Sequence, residues 1–378
     1  MGQTYTWHQG NIPVNPKWLL TTPLQPNEIF SSWIIRLALK NGVSPLAIAA
    51  YFWPEKRIWT SDIDRGISVE QLKELAVQTG LVSQKIRLSF LDNIFIDKIT
   101  NELPVHGSWP WLLPLGCRNL RRSIATQYCP ICFSTDRAPY IRLSWRFAWH
   151  TCCEHHHVKL QQTCQQCGAY FLPHKLTPDA TSLACCYLCK TNLTTHNLST
   201  SCNPSALKMQ NTLDETLHNG IGILGKRITC TSLDYFTVTH LLLQVIRKAN
   251  NSPESSLSQI VFKELGSTPK VSDLNEGIAY EASNFTLREQ LMAQCYHVFV
   301  LRFDEFFVEC SKAKLNLTSL FDSRQVIPSL LEQLLFDLPA SKKKYKKNRL
   351  NKNLRPKSKI AVQRKWMRLL RKYHMKKQ

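Results

Sequence analysis

The chain lacks an apolar run of the length that a membrane-spanning helix needs. Its most apolar stretch, residues 291–308, is interrupted by one histidine and three charged residues, whereas a spanning helix requires about 20 predominantly apolar residues. Residues 1–8 also lack the charged segment followed by an apolar segment that marks a secretory signal peptide. We therefore expect a cytoplasmic protein without a membrane partner, whose cysteines stay reduced.

Acidic residues are absent from the C-terminal end. Residues 342–378 contain seventeen Lys and Arg and no Asp or Glu, whereas the 341 residues before them carry a net charge of only +4 of the total +21. Such a block repels itself, so we expect it to be disordered when free. DNA is the expected partner, because each neutralised phosphate releases a counterion. The predicted nucleic-acid-binding residues are Lys342, Lys343, Lys344, Lys346, Lys347, Arg349, Arg364, Lys365, Arg368, Arg371 and Lys372.

Part of this basic tail has the pattern of an amphipathic helix. Val362, Trp366, Leu369 and Tyr373 follow one another at helical spacing, with basic residues between them. Such a helix can lie along phosphates, dock into a groove of a partner protein or contact an anionic membrane. We favour nucleic acid, and a tail that only keeps the protein soluble is the remaining interpretation.

Recognisable catalytic arrangements are missing too. No Ser-His-Asp set stands out, and no group of acidic residues suits the two-metal chemistry of a nuclease. The segment from Gly220 to Arg227 matches a phosphate-binding loop except that Arg227 replaces the Ser or Thr that would bind Mg²⁺. A polar helical pattern precedes it where an apolar strand is required. We therefore expect that the protein is not an enzyme.

Cysteine is abundant, with fourteen residues, and eight ligand-type residues form four pairs, each with a gap of two residues. The pairs are Cys129 with Cys132, Cys153 with His156, Cys164 with Cys167, and Cys186 with Cys189. Such a gap lets one turn supply two ligands to a tetrahedral ion, and a second pair about twenty residues later completes the site. The sequence thus predicts one Cys₃His and one Cys₄ site, with two structural Zn²⁺ ions per chain.

Other assignments of these cysteines remain open. A set of disulfides would require an oxidising compartment. Within the zinc interpretation, three neighbouring residues compete with the preferred ligands: Cys152 with Cys153, His155 with His156, and Cys185 with Cys186. The isolated cysteines are expected to be small buried apolar residues. They are Cys117, Cys202, Cys230, Cys295 and Cys310.

The predicted fold class is mainly α and multidomain. We expect an extended arm over 1–27, a helix-turn-helix-like domain over 28–125, a double zinc-finger module over 126–202, a C-terminal helical domain over 203–340 and the basic tail over 341–378.

Capping signals place the N-terminal helices. Asn27 is the predicted cap of the first helix, Ser44 with Pro45 begins the second, and Ser68 begins a third that ends at Gly80. Three tryptophans, Trp33, Trp53 and Trp59, are expected in the core. Later helices are predicted over 209–218, 236–248, 287–310 and 328–336, with a loop over 250–258.

Two segments together resemble the TniQ/TnsD family of transposon target-site selectors. Residues 23–38 are similar to the family pattern Pro-x-x-x-Glu-Ser-x-x-Ser-Trp-x-x-Arg-x-Ala, with Pro23 one residue further from Glu28 than in the pattern and Ile29 in place of the first serine. The sequence from Tyr128 to Gly168, with its Cys-Pro-x-Cys and Cys-x-x-His knuckles, is similar to the family's zinc module. The resemblance covers about residues 20–195 and depends on both segments occurring in this order.

The resemblance implies a non-enzymatic adaptor that directs DNA transposition by recruiting a TnsC-type AAA+ ATPase. Some members ride on a guide-RNA Cascade complex, often as a homodimer, and TnsD-like members bind an attachment site directly. We favour the first kind; the alternatives are the second kind or a free-standing zinc-dependent DNA-binding regulator. Arg36, Arg121 and Arg122 are candidates for phosphate or partner contacts, although ordinary solvated charges are the preferred interpretation of each.

Overall fold

The structure is a computed structural model. It describes residues 20–54, 56–104, 107–115, 126–194, 200–226, 228–263, 279–322, 325, 327–336, 338–339, 362–363 and 366–367. The described residues divide into two units, one that extends from residue 20 to residue 339 and one that contains residues 362–363 and 366–367. The secondary structure is mainly helical, as predicted.

Six helices form the N-terminal part of the described chain: α1 Phe30–Lys40, α2 Pro45–Phe52, α3 Ile58–Ser61, α4 Val69–Thr79, α5 Ser83–Arg87 and α6 Asp92–Phe95. The metal-ligand region, which extends from Cys129 to Cys189, contains α7 Pro130–Thr135. The C-terminal part contains α8 Pro204–Asn219, β1 Ile221–Leu224, β2 Ile228–Thr231, α9 Ser232–Asn251, α10 Ser256–Val261, α11 Phe285–Cys295, α12 Phe303–Lys312, α13 Leu317–Leu320 and α14 Glu332–Leu335.

The start of α1 differs from the prediction. Asn27 has a left-handed φ of 55° and does not cap the helix; the N-cap position is Ile29, which has no capping side chain. The buried Glu28 carboxylate instead accepts hydrogen bonds from the Gln25 amide and the Ser32 hydroxyl. The sequence pattern could not reveal this, because a carboxylate just before a helix looks the same whether it faces the helix end or the core.

The next caps were predicted correctly. The Ser44 hydroxyl accepts from the Ala47 amide at the start of α2, and Pro45 is its first residue. Ser68 and Gln71 form a reciprocal capping box at the start of α4, and Gly80 ends that helix in the left-handed conformation.

The apolar faces of these helices enclose a small core. Its largest members are Trp33, Trp53, Phe30 and Phe90, and the Phe30 ring contacts the rings of both Trp53 and Phe90. Trp59 is only partly buried, and its ring stacks at 5.5 Å on His174, which lies in the metal-ligand region. Trp33 and Trp53 are therefore core residues as expected, whereas Trp59 lies where the N-terminal helices contact the metal-ligand region.

The C-terminal helices follow the predicted segments with three differences. The predicted 287–310 helix is interrupted, because α11 passes into a π-helix, Tyr296–Leu301, before α12 begins. The predicted loop over 250–258 is shorter than expected, since α9 ends at Asn251 and α10 begins at Ser256. The predicted 328–336 helix is a 3₁₀ turn, Ser329–Leu331, followed by α14.

The segment that imitates a phosphate-binding loop forms an antiparallel β-hairpin. It follows a helix, α8, and its two strands pair from Ile221 with Thr231 to Leu224 with Ile228. In the turn, Gly225 has a φ of 58°, and the Lys226 amide donates to the Asp304 carboxylate at 3.1 Å. This topology differs from the strand-loop-helix arrangement of a phosphate-binding loop. In addition, the amide in the turn is hydrogen-bonded to a carboxylate of the same chain.

A larger apolar core connects the three parts of the chain. It runs from Ile29 through the metal-ligand region to Leu338. No helix within the described ranges combines the length and apolar composition that crossing a bilayer requires.

Candidate metal centres

The first predicted ligand set lies together in the structure. Cys129 and Cys132 flank the start of α7, where the Cys129 sulfur also accepts from the Cys132 amide as the N-cap. Cys153 and His156 lie on a second turn, which brings the Cys132 sulfur to 3.6 Å from that of Cys153 and 3.3 Å from Nδ1 of His156. The Nδ1 atom lies 3.5 Å from the Cys153 sulfur and 3.6 Å from the Cys129 sulfur.

These distances fit the donor set of a tetrahedral zinc ion. A Zn–S bond of about 2.3 Å in a tetrahedron separates neighbouring sulfurs by about 3.8 Å, and a Zn–N bond of about 2.0 Å gives a slightly shorter S···N edge. The cysteine sulfurs are buried and the imidazole is half-buried. Four protein donors in this arrangement leave no coordination position for a substrate.

The second set has the same geometry and is more exposed. The Cys164 sulfur lies 3.6 Å from that of Cys189, and the Cys167 sulfur lies 3.7 Å from that of Cys186. Cys167 and Cys189 face solvent, whereas Cys164 and Cys186 are buried.

Proton sharing within the first cluster shows how tightly its thiols interact. Hydrogen bonding with Cys129 and Cys153 holds the pKa of Cys132 above its ordinary value, and contacts with Cys129 and Cys132 hold the pKa of Cys153 below it. A divalent cation replaces the shared protons, because thiolates are the species that bind zinc.

The three competing neighbours lie outside both clusters. The Cys152 thiol hydrogen-bonds with that of Cys202, and the Cys185 thiol lies 3.7 Å from the Thr181 hydroxyl. His155 is exposed and contacts Glu154. The structure thus groups Cys153, His156 and Cys186 with the other donors, the set preferred from the two-residue gap.

Four of the five isolated cysteines lie among the described residues. Cys202, Cys295 and Cys310 are buried, and Cys230 is half-buried on β2. Cys117 lies outside the described residues.

A buried arginine connects the N-terminal helices to the metal region. The Arg146 guanidinium, fully buried, donates to Asp62 at 2.8 and 3.1 Å and to Asp64 at 2.7 Å. Asp64 also accepts the Ser31 amide and hydroxyl at the start of α1. The 3₁₀ turn Leu143–Arg146, which lies between the two ligand pairs of the first cluster, is therefore fixed to α1 through charge-assisted hydrogen bonds.

A second buried arginine connects the metal region to α11. Arg288 is fully buried and donates to the Ala148 carbonyl at 2.7 Å and to the Gln127 side chain at 2.9 Å. Burial lowers its pKa to about 10.

Helix α8 adds a further connection to the same region. Gln210 exchanges hydrogen bonds with both the amide and the carbonyl of Cys152. Asp214 accepts from the Trp149 indole and lies 2.9 Å from Nε2 of His150. The Glu154 carboxylate lies close to His150 and Asp214, and the three side chains form a third group of potential metal ligands. Sequence reasoning missed these contacts because the partners are about sixty residues apart.

The predicted nucleic-acid-binding residues, from Lys342 to Lys372, lie outside the described residues, as do Arg121 and Arg122. Within the tail unit, Val362, Gln363, Trp366 and Met367 are helical, and their side chains are exposed. Arg36 is not a solvated charge, because it forms a largely buried ion pair with Glu28.

Residues 19–160 match the TniQ family. The match includes the N-terminal helices and the first metal cluster and ends before the second. No curated protein matches the chain.

Proposed function

We propose that the protein is a non-catalytic adaptor that selects the insertion site in DNA transposition, because its residues 19–160 match the TniQ family. The family match carries this proposal. It joins the chain to a transposition-associated family, and the arrangement of the metal clusters is consistent with a structural role for bound metal.

The metal clusters support an adaptor because of their donor sets. Each offers four protein ligands, so a bound Zn²⁺ would be saturated and would stabilise the fold. The metal would fix two loop-rich turns in a region with little regular secondary structure. We propose Zn²⁺ in both clusters, since thiolate and imidazole donors in a tetrahedron favour this ion.

The buried connections support the same role in another way. Arg146 connects the metal region to α1, and Arg288 connects it to α11. Contacts made at either end of this unit are therefore held in a fixed relation to each other. An adaptor needs this property if one surface holds the site-recognition complex and another holds the next protein.

We propose that the next protein is a TnsC-type AAA+ ATPase and that recognition of the site is delegated to a guide-RNA Cascade-type complex in the cytoplasm. The charge distribution favours a second candidate, direct TnsD-like binding to an attachment site. Seventeen basic residues in 342–378 would bind phosphates strongly. Contacts to phosphates carry no sequence information by themselves, so the tail alone does not decide for direct reading.

DNA binding by the purified, zinc-loaded protein separates these two candidates. Random duplex is compared with the chromosomal sequence that flanks the element, over a series of salt concentrations. A preference of about a thousandfold or more at physiological salt would establish direct reading of the site. Weak and sequence-independent binding would support delegated recognition.

The adaptor role itself is tested by assembly with the ATPase encoded by the same element. We expect the zinc-loaded protein to co-elute with that ATPase on DNA and to fix where the ATPase loads. An ATPase that loads equally well without the protein would contradict the proposal.

A further inference from the structure

Three side chains from two parts of the chain meet beside the first metal cluster. His150 and Glu154 come from the segment around the Cys153 ligand, and Asp214 comes from α8. One nitrogen or oxygen atom from each side chain lies within 4.8 Å of the other two. The group shares no residue with the first cluster, whose donors are the three thiols and the imidazole of His156.

The fold fixes the position of His150. Its side chain is only 1% exposed, and its ring packs on that of Phe147 with the centroids 5.6 Å apart. Its carbonyl accepts a hydrogen bond from the Gln127 side chain at 2.9 Å. Nε2 of the ring lies 2.9 Å from Oδ1 of Asp214. An ion bound here would therefore meet an imidazole nitrogen that is already in place.

Asp214 is positioned by its helix and by a neighbouring indole. One turn earlier on α8, Gln210 exchanges hydrogen bonds with the amide and the carbonyl of Cys152, which holds the helix against the segment that carries His150. The Trp149 indole donates to Oδ1 of Asp214 at 2.8 Å. The Asp214 side chain is nevertheless 31% exposed, so its carboxylate is accessible to an ion from solvent.

The distances suit a cation with octahedral coordination. Bonds of about 2.1 Å at right angles separate neighbouring donor atoms by about 3.0 Å, and bonds on opposite sides separate them by about 4.2 Å. The 2.9 Å between Nε2 of His150 and Oδ1 of Asp214 matches two neighbouring positions. Glu154 is 35% exposed, so its side chain can turn to supply a third ligand. The remaining positions face solvent and can be filled by water.

The charges around the group favour a cation. In the described part of the chain, Asp214 and Glu154 form ion pairs with histidines, His150 and His155, and with no Lys or Arg. A proton on His150 would neutralise one of the two carboxylates and leave the other. The first cluster adds negative charge, because three thiolates around one Zn²⁺ leave a net charge of −1. A divalent cation would remove the repulsion between the two carboxylates.

We propose that His150, Glu154 and Asp214 form a third metal site, which binds one divalent cation of the Mn²⁺ type. Carboxylate and water ligands suit Mg²⁺, Ca²⁺ and Mn²⁺, and the imidazole nitrogen favours the transition metal among them. The ion holds α8, which lies outside residues 19–160, against the segment that carries the Cys153 ligand. This inference goes beyond the proposed function and does not depend on it.

Titration of the full-length protein with Mn²⁺ tests the proposal. The protein is first loaded with two equivalents of Zn²⁺, which the thiolate clusters bind in preference to Mn²⁺. The EPR signal of free Mn²⁺ is lost on binding, so the titration counts bound ions, and we expect one per chain. Pulsed EPR should then detect an imidazole nitrogen coupled to the ion, which reports the contact with His150.

Two variants each remove one carboxylate ligand. Asp214→Asn and Glu154→Gln should each weaken Mn²⁺ binding about tenfold or more, since even groups that only orient ligands contribute that much. The matched control is Glu215→Gln, which removes an exposed carboxylate beside Asp214 on α8 and should change the affinity far less. Unchanged zinc content and circular dichroism show that a variant is folded. Because Glu154 is partly exposed, Glu154→Gln remains informative even if Asp214→Asn fails to fold.

A further control concerns the exposed imidazole of His155, which contacts Glu154. His155→Gln should retain both the bound Mn²⁺ and the nitrogen coupling. Loss of the coupling in this variant would assign the nitrogen to His155 and overturn the proposed ligand set. Absence of bound Mn²⁺ at about 1 mM, or binding that is unchanged in Glu154→Gln, would overturn the site itself.

Discussion

At the scale of single residues, Arg146 stabilises the junction between α1 and the first metal cluster. Two carboxylates and a guanidinium are buried there together, and each retains hydrogen-bond partners that replace water. Burial raises the pKa of Asp64 to about 6, and Arg146 acts in the opposite direction. The two carboxylates and the guanidinium therefore stabilise one another in place of the water that each loses on burial.

Arg146→Met should consequently destabilise the protein by about 3–5 kcal/mol, since it leaves a buried carboxylate without its partner. The free energy of unfolding in urea at saturating zinc measures the effect. Arg87→Met is the control, because the Arg87–Asp92 pair is partly exposed and should contribute less than about 1 kcal/mol. Equal reductions in stability of the two variants would show that the buried network contributes little.

The metal ligands make a second prediction at this scale. Cys132→Ser should release about one zinc ion per chain, because three donors remain in a site built for four. Cys152→Ser should retain both ions, since Cys152 hydrogen-bonds with Cys202 outside the cluster. Metal content measured by mass spectrometry distinguishes the two. Release of zinc from Cys152→Ser, with Cys132→Ser unchanged, would reverse the ligand assignment.

At the scale of elements, local signals predicted what is local. The caps at Ser44 and Ser68 satisfy helix amides within three residues, so the sequence alone was sufficient to place α2 and α4. The two-residue gaps between the predicted metal ligands were informative for the same reason, because both residues of a pair lie on one turn of the chain. The start of α1 and the π-helix before α12 were not predicted, because each has a partner far along the chain: the Ile29 amide donates to the Ile141 carbonyl, and His297 of the π-helix contacts the Ser205 hydroxyl on α8.

The 3₁₀ turn Pro173–Lys175 shows how an element without a sequence signal connects two regions. It carries His174, whose ring stacks on Trp59 of α3. Burial lowers the pKa of His174 to about 4, and the charge of Lys175 acts in the same direction. The folded protein therefore holds a neutral imidazole at this junction.

This shift predicts that the protein becomes less stable in acid. In the unfolded chain a histidine takes up its proton near pH 6.5, whereas the folded protein resists protonation of His174 until about pH 4. The stability that neutral His174 contributes is therefore complete above about pH 6.5 and is lost as the pH falls toward about 4. Its full size is at most about 3 kcal/mol. The melting temperature of the wild type should fall more steeply than that of His174→Phe between about pH 7 and 5.

The control for this measurement is His155→Gln, which changes an exposed histidine and should leave the slope unaltered. The zinc content of all three proteins is measured at each pH, so that a loss of metal in acid is told apart from the titration of His174. Parallel curves for the wild type and His174→Phe would mean that the pKa of His174 is the same in the folded and the unfolded chain, which would contradict the lowered pKa.

At the scale of the whole molecule, the positive charge is concentrated at one end of the chain. The body up to residue 341 is nearly neutral and contains the family-matched region and both metal clusters, whereas residues 342–378 carry +17. We therefore predict that deleting 342–378 flattens the dependence of DNA affinity on salt, because the slope of log K against log salt becomes shallower by about 0.9 for each phosphate that the protein no longer neutralises. The zinc content and the melting temperature of the body should not change. A slope that survives the deletion would place the phosphate-binding groups on the body, and the basic side chains of residues 20–339 would then have to supply them.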